Sequence, residues 1–393
     1  MFEKARIISS ILKAHGFECF VAGGAVRDRI LGLPEKDIDL STNAAPDEML
    51  SIFKKLSYTV VQTGIKHGTL TILVDSVPFE VTTYRSLIGA SPLLEDSNKR
   101  DFTMNAIYLN LESNEYFDPH SGQQAIKDKI ISYVLDPEER IQEDALRVLR
   151  AYRFVSTLGF TLEIETLKAS ARHLFNSVAK VSPERIRDEL IKILSGEHLD
   201  TIFVSYQDLF FAIIPELRDC DGCCQKVALA LPCERPLLRL AALLHEVAKP
   251  LSNIMERLKF SNREIQYVSF LVEKQIAINQ IADTKAARRF IRDTQKRFFS
   301  ETQNILMDLC SLSTADRQAR DAVSILKMEL ERKEIVYESP LSGGDIMDLC
   351  GIVEGKAIGL IKEYLVEQII NGELHPQDIK KAKALALKYY ESL

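Results

Sequence analysis

The stretch "VAGGAVRDRILGLPEKDIDLST", residues 21–42, decides how the chain is to be read. Apolar Phe20 and Val21 run into Gly23-Gly24, and a helical spacing of Val26, Ile30 and Leu31 begins at once. A strand whose closing glycines open onto a helix lets backbone N–H groups approach an anion. Arg27, in the first turn of that helix, adds a forked donor suited to phosphate. Past the "GLPEK" turn, Asp37 and Asp39 flank Ile38. Residues i and i+2 of a strand share a face, so the two carboxylates stand together while Ile38 turns to the core. Adjacent carboxylates repel unless a cation lies between them, and Mg²⁺, which prefers oxygen ligands, fills that role. Glu80, in "FEVTTYR", is a candidate third ligand from a neighbouring strand. Three carboxylates around two Mg²⁺ ions are the apparatus of in-line nucleotidyl transfer. Alone, "DID" also fits an exposed strand or a turn. The phosphate cradle ahead of it points instead to a metal-bound nucleoside triphosphate.

Working outward, "FECFVAG", "TLTILVD", "VPFEVTTYR" and "AIYLNL" read as strands, rich in Val, Ile, Thr and aromatics. "GTLTILVDSVPFEVTT" has a polar "DSVP" turn at its middle and reads as a hairpin. At Asp136-Pro137 the texture changes: Asp136 suits an N-cap, Pro137 the first helical position, and Glu139 the capping-box spacing. Ser182-Pro183 repeats the signal, and from 137 onward the periodicity is almost entirely helical. The fold class expected is α+β, a head with a small mixed sheet followed by an all-helical remainder.

The totals are those of a soluble globular chain of several domains: 393 residues, 46% hydrophobic and 27% charged. No secretory leader and no uncharged apolar run of bilayer length is present, so a cytoplasmic protein without a membrane role is expected. Seven cysteines, an odd and uneven set, fit reduced thiols better than a disulfide framework. The net charge of −6 hides a split: residues 1–150 hold 17 Lys/Arg against 22 Asp/Glu, a net of −5, and the rest is nearly balanced. Basic residues cluster at 285–297 and 380–388, which makes Arg288, Arg289, Lys380 and Lys381 candidates for holding a polyanion. Solvated helix faces account for each cluster equally well.

At this point the motifs resemble a known family. "GGAVRDRILGLPEKDIDLSTNA" is similar to the signature of the class II tRNA nucleotidyltransferases and bacterial poly(A) polymerases, within the polymerase-β superfamily. "TGIKHGTLTI", "KRDFTMNAIY", "RIQEDALRVLRAYRF" and "VSPERIRDELIKIL" follow in the family's order, and "GGDIMDLCGIVEGKAIG" is a weaker later echo. The resemblance implies a catalytic head over 1–136, a helical neck over 137–200, a body over 201–335 and a tRNA-binding tail over 336–393. It implies that Asp37 and Asp39 are catalytic and hold Mg²⁺, assisted by Glu80. Gly23, Gly24, Arg27, Arg100, Asp101 and Asn105 would bind the nucleotide, with Arg150 and Arg153 on phosphates or bracing the site. The partners implied are CTP, ATP and the 3′ end of tRNA, with no obligate protein partner. Two departures stand out. Lys99 replaces the family's usual arginine, keeping the charge but losing the fork. "LLHEVAKP" (244–250) resembles a metal-phosphohydrolase His-Asp signature, but Glu246 stands for the aspartate, which marks it as a relic.

"EDALR" supports an argument of its own. Asp144 and Arg147, at i and i+3 of a helix, share a face, and Glu143 could hold Arg147 in place. A carboxylate accepts from an exocyclic amine, and a guanidinium donates to ring nitrogens or carbonyls. Cytosine and adenine offer that pattern; uracil and guanine reverse it. An ordinary helix-surface ion pair is the plainer alternative. Between "EVTTYR" and "EDSNKRD" only Ser86–Leu94 remains for the flexible loop of CCA-adding relatives. A loop this short marks CC-adding members in the family, so CC addition is expected ahead of full CCA addition and of poly(A) synthesis. An inactive RNA-binding protein on the same scaffold is the alternative of another class. "CDGCC" (220–224) with Cys233 reads as helix packing rather than zinc, and Tyr389 and Tyr390 fit either base stacking or packing of the last helix.

Overall fold

The computed structural model describes residues 1–34, 37–62, 64–85, 91–220, 223–247, 250–315, 320–332, 337–353 and 355–393, except for the side chain of Cys223. They form two compact units, Met1–Pro215 and Glu216–Leu393, so the unit boundary falls inside the expected body.

In the first unit, α1 (Phe2–Ala14) buries Phe2, Ala5, Ile8 and Leu12 along one stripe. It leads to β1 (Cys19–Ala22), α2 (Gly24–Ile30) and β2 (Asp39–Thr42), the arrangement expected of residues 21–42. Then come α3 (Pro46–Lys55), β3 (Thr59–Val61), β4 (Thr69–Val74) and β5 (Val77–Thr83). The β4–β5 hairpin turns at Asp75-Ser76, both at positive φ (49° and 64°), the twist that suits two antiparallel strands. β6 (Tyr108–Leu109) and β7 (Tyr116–Phe117) complete a seven-stranded sheet of order β3-β4-β5-β2-β1-β6-β7. Only β2 and β5 run parallel, so the sheet is mixed.

Three details depart from the sequence reading. α4 (Pro92–Asn98) starts inside the interval assigned to a loop, with Ser91 at its N-cap and Pro92 at N1. The remaining loop residues, 86–90, lie outside the described residues. After α5 (Gly122–Lys127) and β8 (Ile130–Ile131), the neck opens as expected with α6 (Pro137–Glu143), whose Asp136 caps the Glu139 N–H at 3.0 Å. The helix does not run through "EDALR". Asp144 ends it with extended backbone (φ −150°, ψ 105°), and α7 (Leu146–Leu158) starts afresh. The cause is local: the Asp144 carboxylate accepts the Leu146 N–H at 3.1 Å, a side-chain bond that competes with helix continuation. Finally, β9 (Thr161–Leu162) pairs parallel with β8, a short strand in a region read as helical. α8 (Ile164–Lys180), α9 (Pro183–Leu194) and two short helices, Leu199–Ser205 and Asp208–Ile213, follow. Ser182 stands at the N-cap of α9, without a side-chain capping bond.

The regular elements of the second unit are helical. Its basic helix Thr284–Phe298 is less exposed than its charge suggests. The Arg288 side chain is only 12% exposed, donating to Glu329 at 3.0 Å and to the Ile370 carbonyl at 3.0 Å. It is therefore an internal brace, because a buried guanidinium persists only with such partners. Arg289 is exposed and paired with Glu367, while Lys380 and Lys381 are exposed. Tyr389 stacks on Tyr364 at 4.1 Å between ring centroids, which supports the packing reading of that residue. No helix among the described residues is long and apolar enough to cross a membrane.

Candidate nucleotidyl-transfer site

Antiparallel pairing sets Asp39 opposite Ala22, and parallel pairing sets it beside Glu80. Asp37 lies two residues ahead, just outside the strand, with Ile38 buried between. Asp39 and Glu80 thus stand side by side on neighbouring strands, with Asp37 two residues ahead of Asp39. The crowding has an electrostatic signature: burial in the concavity and the Glu80 charge raise Asp39 to about 6, with Arg100 opposing and Asp37 adding a little. Such a set takes up a proton or a cation readily. Among the described residues no group of three His, Cys, Asp or Glu side chains converges as a ready-made metal cluster. Asp37 and Asp39, with Glu80 alongside, are the residues here that could hold a divalent ion.

Next to these acids opens a cavity of about 420 Å³. Gly23, Gly24 and Asn105 line it, and so do Arg27, Arg85, Arg100, Arg147, Arg150, Arg153 and Arg185. Seven arginines face only three aspartates, Asp39, Asp101 and Asp144, an excess of cationic charge suited to a polyphosphate. The arginines are held in place. Arg27 donates to Asn105 Oδ1 and to Asp28, each within 2.8 Å, and lies over the Phe154 ring. Arg150 and Arg153 flank the same ring, their guanidiniums 5.7 and 4.1 Å from its centroid. Burial pushes Arg153 down to about 10, against the pull of Glu189 and with Arg150 and Arg27 adding to the effect.

Arg100 donates to the Tyr108 hydroxyl at 2.7 Å, Ser41 at 3.1 Å and Asp96 at 3.4 Å. Asp96, 2% exposed, also accepts from Tyr108 at 2.5 Å and from the Arg85 N–H at 2.9 Å. Gly23 makes room for this group. At φ +75° a Cβ would be strained, and it would stand 2.9 Å from Arg100 Nη1. Asp101 accepts from the Phe102 N–H (2.8 Å), Asn105 Nδ2 (3.1 Å) and Arg150 Nε (2.7 Å). Burial alone would raise its pKa, but Arg150 and these hydrogen bonds outweigh burial and hold it well below the carboxylate range.

Asp144 and Arg147 both reach the cavity although they do not share a helix. Arg147, 9% exposed, donates to Glu143 Oε2 at 2.8 Å, the Arg140 carbonyl at 3.0 Å and the Lys99 carbonyl at 2.9 Å. Three of its five N–H groups are thereby engaged, leaving Nε and one Nη2 hydrogen for a ligand among the described residues. The Asp144 ion pair runs to Arg185 at 2.7 Å rather than to Arg147. Burial raises the Asp144 pKa, and Arg185 with the Leu146 N–H more than reverses that.

The sequence reading missed Asp96, Tyr108, Ser41, Arg85, Arg185 and the Phe154 ring. The i,i+4 spacing of Asp96 and Arg100 was the one available signal. Elsewhere, His245 bonds the Ala242 carbonyl at 2.6 Å, while Ala248 and Lys249 lie outside the described residues. Asp221 and Gly222 of the cysteine group also lie outside them, and Cys224 is buried.

Comparison with known proteins shows the family. A family model described as the poly A polymerase head domain matches residues 19–132. A second, described as a probable RNA and SrmB-binding site of polymerase A, matches residues 159–219. The CCA-adding enzyme of Staphylococcus saprophyticus is 30% identical over 398 residues, 95% of this chain and 95% of that protein. That of Anoxybacillus flavithermus is 42% identical over 231 residues, 55% of this chain and 56% of that protein. The crystal structure of the Bacillus stearothermophilus CCA-adding enzyme in complex with CTP superposes with a TM-score of 0.79 at 27% identity, covering 100% of this chain and 98% of that one. Since the likeness to a whole relative spans nearly the full chain and the head model covers the acids and three of the seven cavity arginines, this protein belongs to the class II tRNA nucleotidyltransferases, the family of the CCA-adding enzymes.

Proposed function

We infer that the chain adds two cytidines to the 3′ end of tRNA from CTP and stops before the terminal adenosine. The observation that carries the CC reading is the connection between β5 and α4, which end and begin at Thr83 and Pro92. It spans residues 84–91, eight residues against the nine of 86–94, because Pro92–Leu94 are helical while β5 ends at Thr83. Exchanging cytosine for the larger adenine requires the pocket to be reshaped, and so short a connection offers little chain for a lever. Full CCA addition is the second reading, favoured by the name of the relative matched over 95% of its length.

The arginine cavity receives the triphosphate, with Arg100, Arg150 and Arg153 as its fixed cationic wall. Asp101 and Asn105 hold that wall rather than touch the phosphates. Asp144 retains lone pairs for the cytosine amine, and the open donors of Arg147 face N3 and O2. A mispaired base loses roughly 1–3 kcal/mol per contact, by analogy with base readout in grooves. Asp37 and Asp39 would hold Mg²⁺, which would supply charge neutralisation at the α-phosphate and the departing pyrophosphate and alignment of the attacking 3′ oxygen. Glu80 beside Asp39 keeps that corner anionic. The four-part division into head (1–136), neck (137–200), body (201–335) and tail (336–393) fits this reading. The tRNA track then lies on the tail, with Lys380 and Lys381 as its cationic residues.

Incorporation of labelled CTP into tRNA trimmed of its CCA tests the assignment. The wild type should label the tRNA, and Asp37→Ala or Asp39→Ala should abolish labelling while tRNA still binds. Activity of Asp37→Ala within about tenfold of wild type would contradict the metal-carboxylate role.

A further inference from the structure

Arg140 lies on α6, four residues before Asp144 and seven before Arg147, and does not line the nucleotide cavity. Its side chain is only 4% exposed. Nη1 donates to the Asn98 carbonyl at 2.5 Å and Nη2 pairs with Glu143 Oε1 at 2.9 Å. The other oxygen of Glu143 takes Arg147 Nη1 at 2.8 Å, and the Arg140 carbonyl takes the same nitrogen at 3.0 Å. Arg147 Nη2 then reaches the Lys99 carbonyl at 2.9 Å, one residue beyond the carbonyl that Arg140 holds. Arg85 Nη1 also donates to the Lys99 carbonyl. Arg140, Glu143 and Arg147 therefore form one closed network clamped onto two successive carbonyls at the C-terminal end of α4.

The network has a cost. Arg140 Nε is buried with no partner among the described residues. A buried guanidinium with an unsatisfied N–H is poor construction for a purely structural tie, since an apolar side chain would fill the space more cheaply. What an apolar side chain cannot do is hold Oε1 of Glu143, and through that carboxylate the plane of the Arg147 fork. A fork left to rotate keeps its charge but loses the direction of the two donors that read the base.

We propose that Arg140 is a positioning residue for base selection: it orients Arg147 through Glu143 and ties the reading fork to the end of α4. The proposal rests on Arg147 reading the base.

The test is addition of single nucleotides to tRNA lacking CCA, with kcat/KM measured separately for CTP and UTP. The variants are Arg140→Gln, Arg140→Lys and Arg147→Lys, with Arg172→Gln as a control that removes an exposed tie to Glu138 on the same helix, α6. Arg147→Lys and Arg140→Gln should each lower the CTP/UTP ratio about tenfold, and the double variant should fall little further, because both act on one fork. Arg140→Lys, which can hold one of the two partners, should show a smaller fall in the same direction, and Arg172→Gln should keep the wild-type ratio. If Arg147→Lys changes the ratio but Arg140→Gln slows CTP and UTP addition in equal proportion, within about twofold, the proposal is overturned and Arg140 is a structural tie. Should the glutamine variant not fold, a wild-type ratio in Arg140→Lys overturns it equally. An unchanged ratio in Arg147→Lys removes the base-reading assignment, and the proposal with it.

Discussion

Replacing Asp101 with Asn separates the scaffold of the site from its chemistry. The Asp101 side chain is 11% exposed and receives Arg150 together with the Phe102 N–H and Asn105. Asparagine keeps the shape and can still accept the Phe102 N–H. Its amide nitrogen, however, is a donor facing a donor at Arg150. Breaking a buried ion pair from one side costs about 3–5 kcal/mol, and Arg150 keeps 30% of its side chain exposed, so about 2–4 kcal/mol is the expected loss. Over a unit of residues 1–215, each kcal/mol moves the melting point by about 2–4 °C, which gives a fall of about 5–15 °C at pH 7. The loss should also depend on pH with a definite sign. The folded carboxyl titrates below its unfolded value, so its stabilisation is complete above about pH 4 and fades as pH falls through the lower, folded value. The gap between wild type and Asp101→Asn should therefore begin to narrow below about pH 4 and keep narrowing as the pH falls further. Calorimetry at pH 7, 5 and 3.5, with CTP binding measured at pH 7, reads both effects. A variant that melts within 2 °C of wild type at pH 7, or a gap that widens in acid, would refute the reasoning.

Two further outcomes follow from the same site. Gly23→Ala places a Cβ at φ +75° against Arg100, so kcat/KM for CTP should fall at least about tenfold with a stability loss of about 1–2 kcal/mol; unchanged kinetics would mean that Arg100 yields freely. Lys380→Glu with Lys381→Glu should raise KM for tRNA and flatten its salt dependence by about two ion equivalents, leaving KM for CTP alone. Arg288→Glu should instead lower the melting point, because its partners are internal.

Residues 21–42 were legible because period-2 and period-3.6 patterns meet there at a glycine pair, and both patterns are local. The β2–β5 register that brings Glu80 to Asp39 was anticipated, though only as a neighbouring strand, since pairing across distant segments leaves no local trace. The break at Asp144 was not legible. "EDALRVLR" has helical spacing throughout, and only the competing side-chain bond to the Leu146 N–H interrupts it. Asp96 was hidden for another reason: a carboxylate in a polar run reads as surface, and its burial depends on Tyr108, Arg100 and the Arg85 backbone arriving together. Arg288 shows the converse error, a basic residue read as a polyanion contact or part of a solvated face where Glu329 and the Ile370 carbonyl hold it inside. Charge in sequence says little about exposure when partners lie far along the chain.

The measurement that bears most directly on the account is the sequence of tRNA 3′ ends after incubation with the unmodified protein, CTP and excess ATP, starting from tRNA that lacks CCA. The account predicts a product ending in CC, with no A added even at long times, and a terminal A appearing once a longer loop is grafted between Arg85 and Glu95. Efficient completion of CCA by the unmodified protein would contradict the CC reading, and failure to incorporate any C would contradict the nucleotidyl-transfer site itself.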